Sequence, residues 1–248
     1  MRFARLAFLP LAAASPAAAQ RLGYAAVDET PGPRLEYALL DRLEWAPQRG
    51  QDGYAWDFSL LYTGDKHGLW LSSVGEGGLW GSPDYLEFQA LYSHTVAKGR
   101  YLNAGLRWDA APNPKRLYFA AGGQWEESWD DKRDLWIGAF GYLSHKGEFS
   151  ARLGGIYNHA LTDKLYAQPS FELNASGDDV PELGLGRGLA YAEAGLRLRY
   201  EAAGGFAPYV GFSWERSFGR TARFARAAGE DVEAKSLVVG VRSYWGED

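Results

Sequence analysis

The sequence contains no cysteine, and its one methionine is Met1. Without thiols no disulfide can staple the fold, so packing and hydrogen bonding alone must hold it. With neither thiolate nor thioether beyond Met1, soft metal ligation is closed off, and imidazole and oxygen donors remain. Only four histidines are available for the first of these. Past the N-terminal leader there is no run of about 18 apolar residues, so no transmembrane helix is expected. Cationic residues are in the minority, 26 Lys and Arg against 31 Asp and Glu, which argues against a nucleic-acid partner. No Gly-x-Ser-x-Gly, His-Glu-x-x-His or phosphate-loop motif occurs, so catalysis has no anchor in the sequence.

At the N-terminus, Arg2 and Arg5 precede the short apolar run Leu6 to Ala13, and Ala17-Ala18-Ala19 supplies small residues before Gln20. This pattern is expected to be a signal peptide over residues 1–19. Its loss would take the net charge from −5 to −7. Residues 20–34 are expected to form a short periplasmic tail carrying Pro31 and Pro33, and 35–248 a single domain.

That domain is rich in period-2 alternation, a strand signal. Leu86, Phe88, Ala90 and Tyr92 alternate with Glu87, Gln89 and Ser93. Leu102, Ala104, Leu106 and Trp108 alternate with Asn103, Gly105, Arg107 and Asp109. Ala190, Ala192, Ala194, Leu196, Leu198 and Tyr200 oppose Glu193, Gly195, Arg197, Arg199 and Glu201. Twelve strands are expected, at 34–45, 53–63, 67–76, 84–96, 100–110, 115–126, 132–144, 147–158, 163–175, 187–201, 205–217 and 235–245, with ten as the alternative count. The first three are too irregular to assign faces. Each strand is long enough to cross a bilayer when tilted, and an even count returns both ends to one side. Every second connection is short (64–66, 97–99, 127–131, 160–162, 202–204), whereas the others include 46–52, 77–83, 176–186 and 219–234. The short outer turn at His145-Lys146 is the exception. Short turns on one side and long loops on the other are the habit of outer-membrane barrels. The ten Trp and 15 Tyr suit interfacial girdles. The expected fold is therefore an all-β, antiparallel transmembrane barrel with a polar, charged lumen, in the bacterial outer membrane and in contact with its lipid. A soluble periplasmic sandwich is the competing reading.

By parity, Glu87, Arg107, Asp109, Arg152, Glu172, Glu193, Arg197, Arg199, Glu215 and Arg242 share the inward face. They are expected to form a charge network, either a rigidifying lattice or a polar path whose carboxylates hold cations weakly. Acidic pairs on the long loops (Asp178-Asp179 with Glu182, and Glu230-Asp231) read as solvated carboxylates. A membrane-embedded hydrolase would need Ser and His on one side at one depth. Ser93 and His94 are adjacent in a strand and so face opposite sides.

Several segments resemble the CopB/PcoB family of outer-membrane copper-resistance proteins. They include Leu43-Glu44-Trp45, Tyr54-Ala55-Trp56-Asp57, Leu69-Trp70-Leu71, Glu87-Phe88-Gln89-Ala90-Leu91-Tyr92-Ser93, Ala104-Gly105-Leu106-Arg107-Trp108-Asp109, and Gln168-Pro169 with Glu172-Leu173-Asn174. Glu193 to Glu201, Ala207-Pro208-Tyr209-Val210-Gly211, Trp214-Glu215-Arg216 and Gly229-Glu230-Asp231 extend the likeness, in order, over about 35–245. The resemblance implies an outer-membrane barrel that handles copper in resistance or homeostasis. The expected role is non-enzymatic, binding copper ions or passing them across the outer membrane, by a monomer with a periplasmic copper-handling protein as a partner. A small structural or porin-like barrel without specific metal binding is the alternative. Many family members carry a Met- and His-rich segment before the barrel, which this sequence lacks. Copper would then meet imidazole or carboxylate. His67, His94 and His159, all near short turns, are the candidate metal ligands. His145 falls at the opposite end.

Overall fold

The computed structural model describes residues 34–47, 52–202 and 205–246. The expected signal peptide and most of the expected tail lie outside them. Twelve antiparallel strands follow one another: β1 (Arg34–Ala46), β2 (Gly53–Thr63), β3 (His67–Gly78), β4 (Tyr85–Ala97), β5 (Arg100–Ala111), β6 (Arg116–Asp130), β7 (Arg133–Ser144), β8 (Phe149–Ala160), β9 (Leu165–Ser176), β10 (Gly188–Tyr200), β11 (Phe206–Ser217) and β12 (Glu233–Gly246). Each pairs with its sequence neighbours, and β1 closes on β12. The closing seam runs from Tyr37 opposite Gly246 to Trp45 opposite Val239. Closure removes every free sheet edge, which is what permits strands to sit in lipid. Among the described residues no helix is long and apolar enough to cross a membrane.

The side chains are arranged inside out relative to a soluble sheet. Along β10, Leu196 and Leu198 are exposed at 53% and 42%, while Arg197 between them is 7% exposed. Leu102, Leu106, Phe119, Leu143, Val210 and Leu237 continue the outward apolar belt. An exposed apolar belt around a charged interior is stable only against hydrocarbon. Trp45, Trp80, Trp108, Trp125, Trp129 and Trp245 are exposed, as a girdle requires. Trp70 and Trp136 are not part of it. Both are buried inside the barrel, and Trp136 Nε1 donates to Gln124 Oε1 at 3.2 Å.

The interior is not uniformly polar. Trp70, Val74, Leu91, Phe140 and Tyr142 belong to one buried cluster with Tyr85 and Tyr118, and Tyr37, Leu39 and Tyr244 to another. Leu61 packs against both. The apolar and aromatic filling comes from β1, β3, β4, β6, β7 and β12, whereas buried charge is contributed by all twelve strands.

Among the register shifts, two bulges bear on the parity rule at named positions. Pairing shifts between Leu40 and Arg42 on β1 and between Leu189 and Tyr191 on β10. At the second, Ala190 turns inward to line a cavity beside Tyr191, against its expected place on the lipid face. A bulge adds one residue to one strand, so alternation restarts on the other face.

The connections divide by rim. On the rim carrying the described ends of the chain they are tight: Gly99, at φ 65°, makes the β4–β5 turn, where a Cβ would lie 2.3 Å from the Glu126 carbonyl oxygen. On the other rim, the β9–β10 loop contains a 3-10 turn (Pro181–Leu183) and the β11–β12 loop the helix α1 (Gly219–Ala227). Thr221 of α1 accepts a hydrogen bond from the Gly186 amide at 2.9 Å, tying the two long loops together.

Candidate functional site

The inward-facing charges converge on two neighbouring assemblies. In the first, Glu87 on β4 is the centre. Arg107 Nε lies 2.9 Å from one of its carboxylate oxygens, and Arg152 donates to both at 2.8 and 3.2 Å. Gln89 donates at 2.5 Å and Tyr85 donates through its hydroxyl. Arg107 also grips Asp109 with two parallel bonds of 2.7 and 2.8 Å. The Arg107 guanidinium sits 5.0 and 4.5 Å from the ring centres of Tyr118 and Tyr142. Charge-assisted, bidentate bonds backed by aromatic faces are the strongest polar contacts a protein interior offers.

Arg152 is on β8, four strands away from β4, so its bond to Glu87 spans the lumen. Arg197 on β10 likewise reaches Glu44 on β1, at 2.7 Å. Neither is a ladder pair between adjacent strands. They act as crossbars, and with Glu87 at 1% and Arg152 at 2% exposure the lumen is filled at this level.

The second assembly lies on β9, β10 and β11. Register places Glu193 directly opposite Glu172 on one side and Glu215 on the other. Arg42 is the nearest cation to Glu193, at 3.8 Å, and Arg152 to Glu172, at 3.9 Å. Those separations are too long for hydrogen bonds.

Of the ten inward charges expected from parity, nine are buried and Glu193 is half-buried. Near the terminal rim, Arg199 bonds Glu201 at 2.7 Å, and Arg242 bonds Asp41 at 2.9 Å. The sequence reading did not assign Arg42, Glu44 and Asp57 to the inward face, yet they belong to the same interior. They lie on β1 and β2, where the bulge at Leu40/Arg42 hides the alternation. With Glu76, Glu126, Asp134 and Arg116 also counted, nine buried carboxylates stand against seven buried arginines among the described residues.

The histidines behave differently. His67 and His94 are opposite each other on β3 and β4, with ring centres 5.1 Å apart. His67 Nδ1 is hydrogen-bonded to the Tyr92 hydroxyl. Strand parity sets all three on the outward face, with Leu69 and Phe88, not in the lumen. His159 is on β8, opposite Arg133 of β7 and stacked on Tyr157. It is four strands from β4, so the expected three-histidine rim site is not assembled: closeness to a short turn fixes depth, not position around the barrel. Among the described residues no group of three or more His, Asp or Glu stands ready to hold a metal ion.

The loop rim is capped. Arg116 of β6 donates to both oxygens of Glu148 at 3.0 and 3.2 Å and also to Glu182 of the 3-10 turn, which Lys146 reaches at 3.1 Å. Burial pushes the Glu148 carboxyl up, but hydrogen bonds from Arg116 and Ser144 outweigh it and hold the group below its ordinary value. The bonds from Arg116 and Lys146 hold Glu182 low as well. Arg220 of α1 pairs with Asp179 at 2.8 Å. So Asp179 and Glu182, read from sequence as solvated, are tied into the cap. Leu183 and Leu185 line a cavity of about 60 Å³ together with Arg107, Asp109, Tyr118 and Tyr142.

A closed twelve-stranded barrel with an apolar exterior, a charged interior and loops of unequal length at its two rims defines an outer-membrane β-barrel protein. Solved porins share the fold. The NanC porin aligns with a TM-score of 0.55 at 11% identity, over 82% of this chain and 98% of that one. The KdgM porin in complex with disordered oligogalacturonate aligns at 0.50 and 12%, over 84% and 98%. Sequence narrows the class to one family. The family model described as copper resistance protein B precursor (CopB) matches residues 34–245. The copper resistance protein B homolog of Pseudomonas syringae pv. tomato is 40% identical over 209 residues, 84% of this chain and 69% of that protein. Copper resistance protein B of Escherichia coli is 36% identical over 207 residues, 84% and 68%. The chain belongs to the copper resistance protein B family.

Proposed function

We propose that this outer-membrane barrel serves copper resistance by binding copper as the divalent ion and passing it between oxygen and imidazole donors, without catalysing a reaction on it. The observation that carries the reading is the excess of buried carboxylates over arginines inside a chain whose one thioether is Met1. Such an interior attracts cations and offers them hard ligands, whereas Cu(I) prefers sulfur. In this reading the inward charges from Glu87 to Arg242 form the polar path. The crossbars make the barrel a ligand-exchange route and not an open pore. The His67–His94 pair is a weaker rim site that would trade copper with a periplasmic copper-handling protein, and His159 has no part in it.

A second reading, a structural or porin-like barrel with no specific metal site, draws support from the absence of a ready-made three-ligand group among the described residues. Copper titration of the purified, refolded barrel separates the two. Saturable Cu(II) binding, reduced when His67 and His94 become Ala, is expected. No saturable binding, with no change on replacing His67, His94 and His159, would end the copper reading and leave the porin-like one.

A further inference from the structure

We infer that Glu172, Glu193 and Glu215 form a seat for one partly hydrated divalent cation, built across three adjacent strands of the barrel wall. The inference rests on the reading of the lumen as a cation path, and it says where on that path the ion stops.

The register makes the case first. Glu193 is the middle member of a row, with a glutamate directly opposite on each flanking strand. Directly opposed side chains have Cβ atoms only about 4.5–5.5 Å apart, and like charges so placed destabilise a sheet. A structural lattice would put arginines there. Glu87 shows how this same barrel does so, with two arginines at 2.8–2.9 Å.

Two of the three nearby arginines are committed elsewhere, and the third makes no hydrogen bond to the row. Arg197 spends its Nε on Glu44 at 2.7 Å and an Nη on Ser170 at 3.2 Å. Arg152 gives its short bonds to Glu87 and comes no closer than 3.9 Å to Glu172. Arg42 stands 3.8 Å from Glu193 and 3.9 Å from Glu44, and its Nε and Nη2 are buried without a hydrogen-bond partner.

The unpartnered oxygens are the independent sign. Glu172 and Glu215 are 5% and 6% exposed, yet Glu172 Oε2 and Glu215 Oε1 are buried with no hydrogen-bond donor. A buried oxygen without a donor is costly and calls for a partner. Two in one row of like charges call for a positive one.

The carboxylates stand apart as they are, in keeping with the absence of a preformed metal group. Rotation of the outer two toward Glu193 would bring oxygens from three strands onto one ion, with water completing the shell. Oxygen-only ligation suits Mn(II), Mg(II) and Ca(II), and accepts Cu(II) through its general affinity for such donors. No covalent step is involved.

The test uses the full chain refolded in detergent, with Mn(II) as the probe, since its free-ion EPR signal falls on binding. Saturable binding of one Mn(II) per barrel is expected. It should weaken by about tenfold or more in Glu193→Gln and in Glu215→Gln, because affinity follows ligand charge count. Glu193→Asp should fall between, and Glu230→Gln on the outer loop should match wild type. Heat-modified gel mobility confirms that each variant is folded. The seat is refuted by no saturable Mn(II) binding, by binding that survives Glu193→Gln and Glu215→Gln, or by a row that takes up protons only. Cu(II) competition tells the two ideas apart. If Mn(II) binds and Cu(II) does not displace it, the seat stands and the copper reading fails here. If Cu(II) binds saturably but is indifferent to Glu193→Gln, the copper reading stands and the seat falls.

Discussion

The two glutamate assemblies in this lumen are built from the same residue types and differ in how their charge is met. Around Glu87, every short contact is made: two arginines, a tyrosine hydroxyl and an amide converge on one carboxylate. Along Glu172, Glu193 and Glu215, three carboxylates stand abreast with arginines no nearer than 3.8 Å. Burial alone does not explain the difference, because Glu87, Glu172 and Glu215 are all nearly inaccessible. A charge that is fully paired stiffens the barrel. A charge left under-paired at the same depth is a place where a cation gains binding energy. Copper resistance, in this account, belongs to the second assembly, and the first holds the barrel in shape around it.

The strongest way to break the comparison is at Glu87. Arg152→Ala strips it of a crossbar and leaves a buried, under-compensated carboxylate, which should cost about 3–5 kcal/mol. Denaturant unfolding in detergent measures this. Replacing both partners, Arg152→Met with Glu87→Leu, should recover most of the loss, because no buried charge is then orphaned.

The same operation on the other assembly should have the opposite sign. Glu193→Gln removes like-charge repulsion and should raise metal-free stability by about 0.2–1 kcal/mol. Added Mn(II) should stabilise wild type and not the variant. If Glu193→Gln destabilised the metal-free barrel as Arg152→Ala does, the two assemblies would be of one kind.

A smaller effect is expected at the cap. Glu182 is held low in the folded protein, so the latch to Arg116 and Lys146 contributes at all pH above the ordinary glutamate value of about 4.3. It is lost as pH falls through the lower folded value. Amide protection of residues 182–186, measured relative to the intrinsic exchange rate at each pH, should therefore be high at neutral pH, and should fall in strong acid or, at neutral pH, in Glu182→Gln. Exchange unaffected by Glu182→Gln would mean that the hydrogen bond to α1 and the Arg220–Asp179 pair hold the cap alone. Smallest of all, His159→Ala should leave Cu(II) titration unchanged, and stability should move by less than about 0.5 kcal/mol, as for an ordinary surface substitution.

Much of this was legible from the chain itself. All twelve strands stand within a few residues of where alternation puts them, because lipid outside and charge inside enforce period 2 over long runs. Parity also gives the direction of Glu193 and Arg197. It fails at Ala190 and around Arg42, where a bulge adds a residue with no mark in the composition. It could have withdrawn Trp70 from the girdle, since Trp70 shares its face with Ser72 and Glu76. What parity cannot supply is who meets whom across the lumen. Arg152 and Glu87 are 65 residues apart, and Arg197 and Glu44 are 153 apart. Those contacts depend on closure, tilt and rotamer together. The same gap misled the histidine grouping, in which shared depth stood in for shared position.

The most direct test is an anomalous difference map from crystals of the full barrel grown with Mn(II). The account predicts a peak inside the lumen against Glu193, with Glu172 and Glu215 turned toward it. A map with no peak there, or with density confined to His67 and His94 on the outer face, would contradict it.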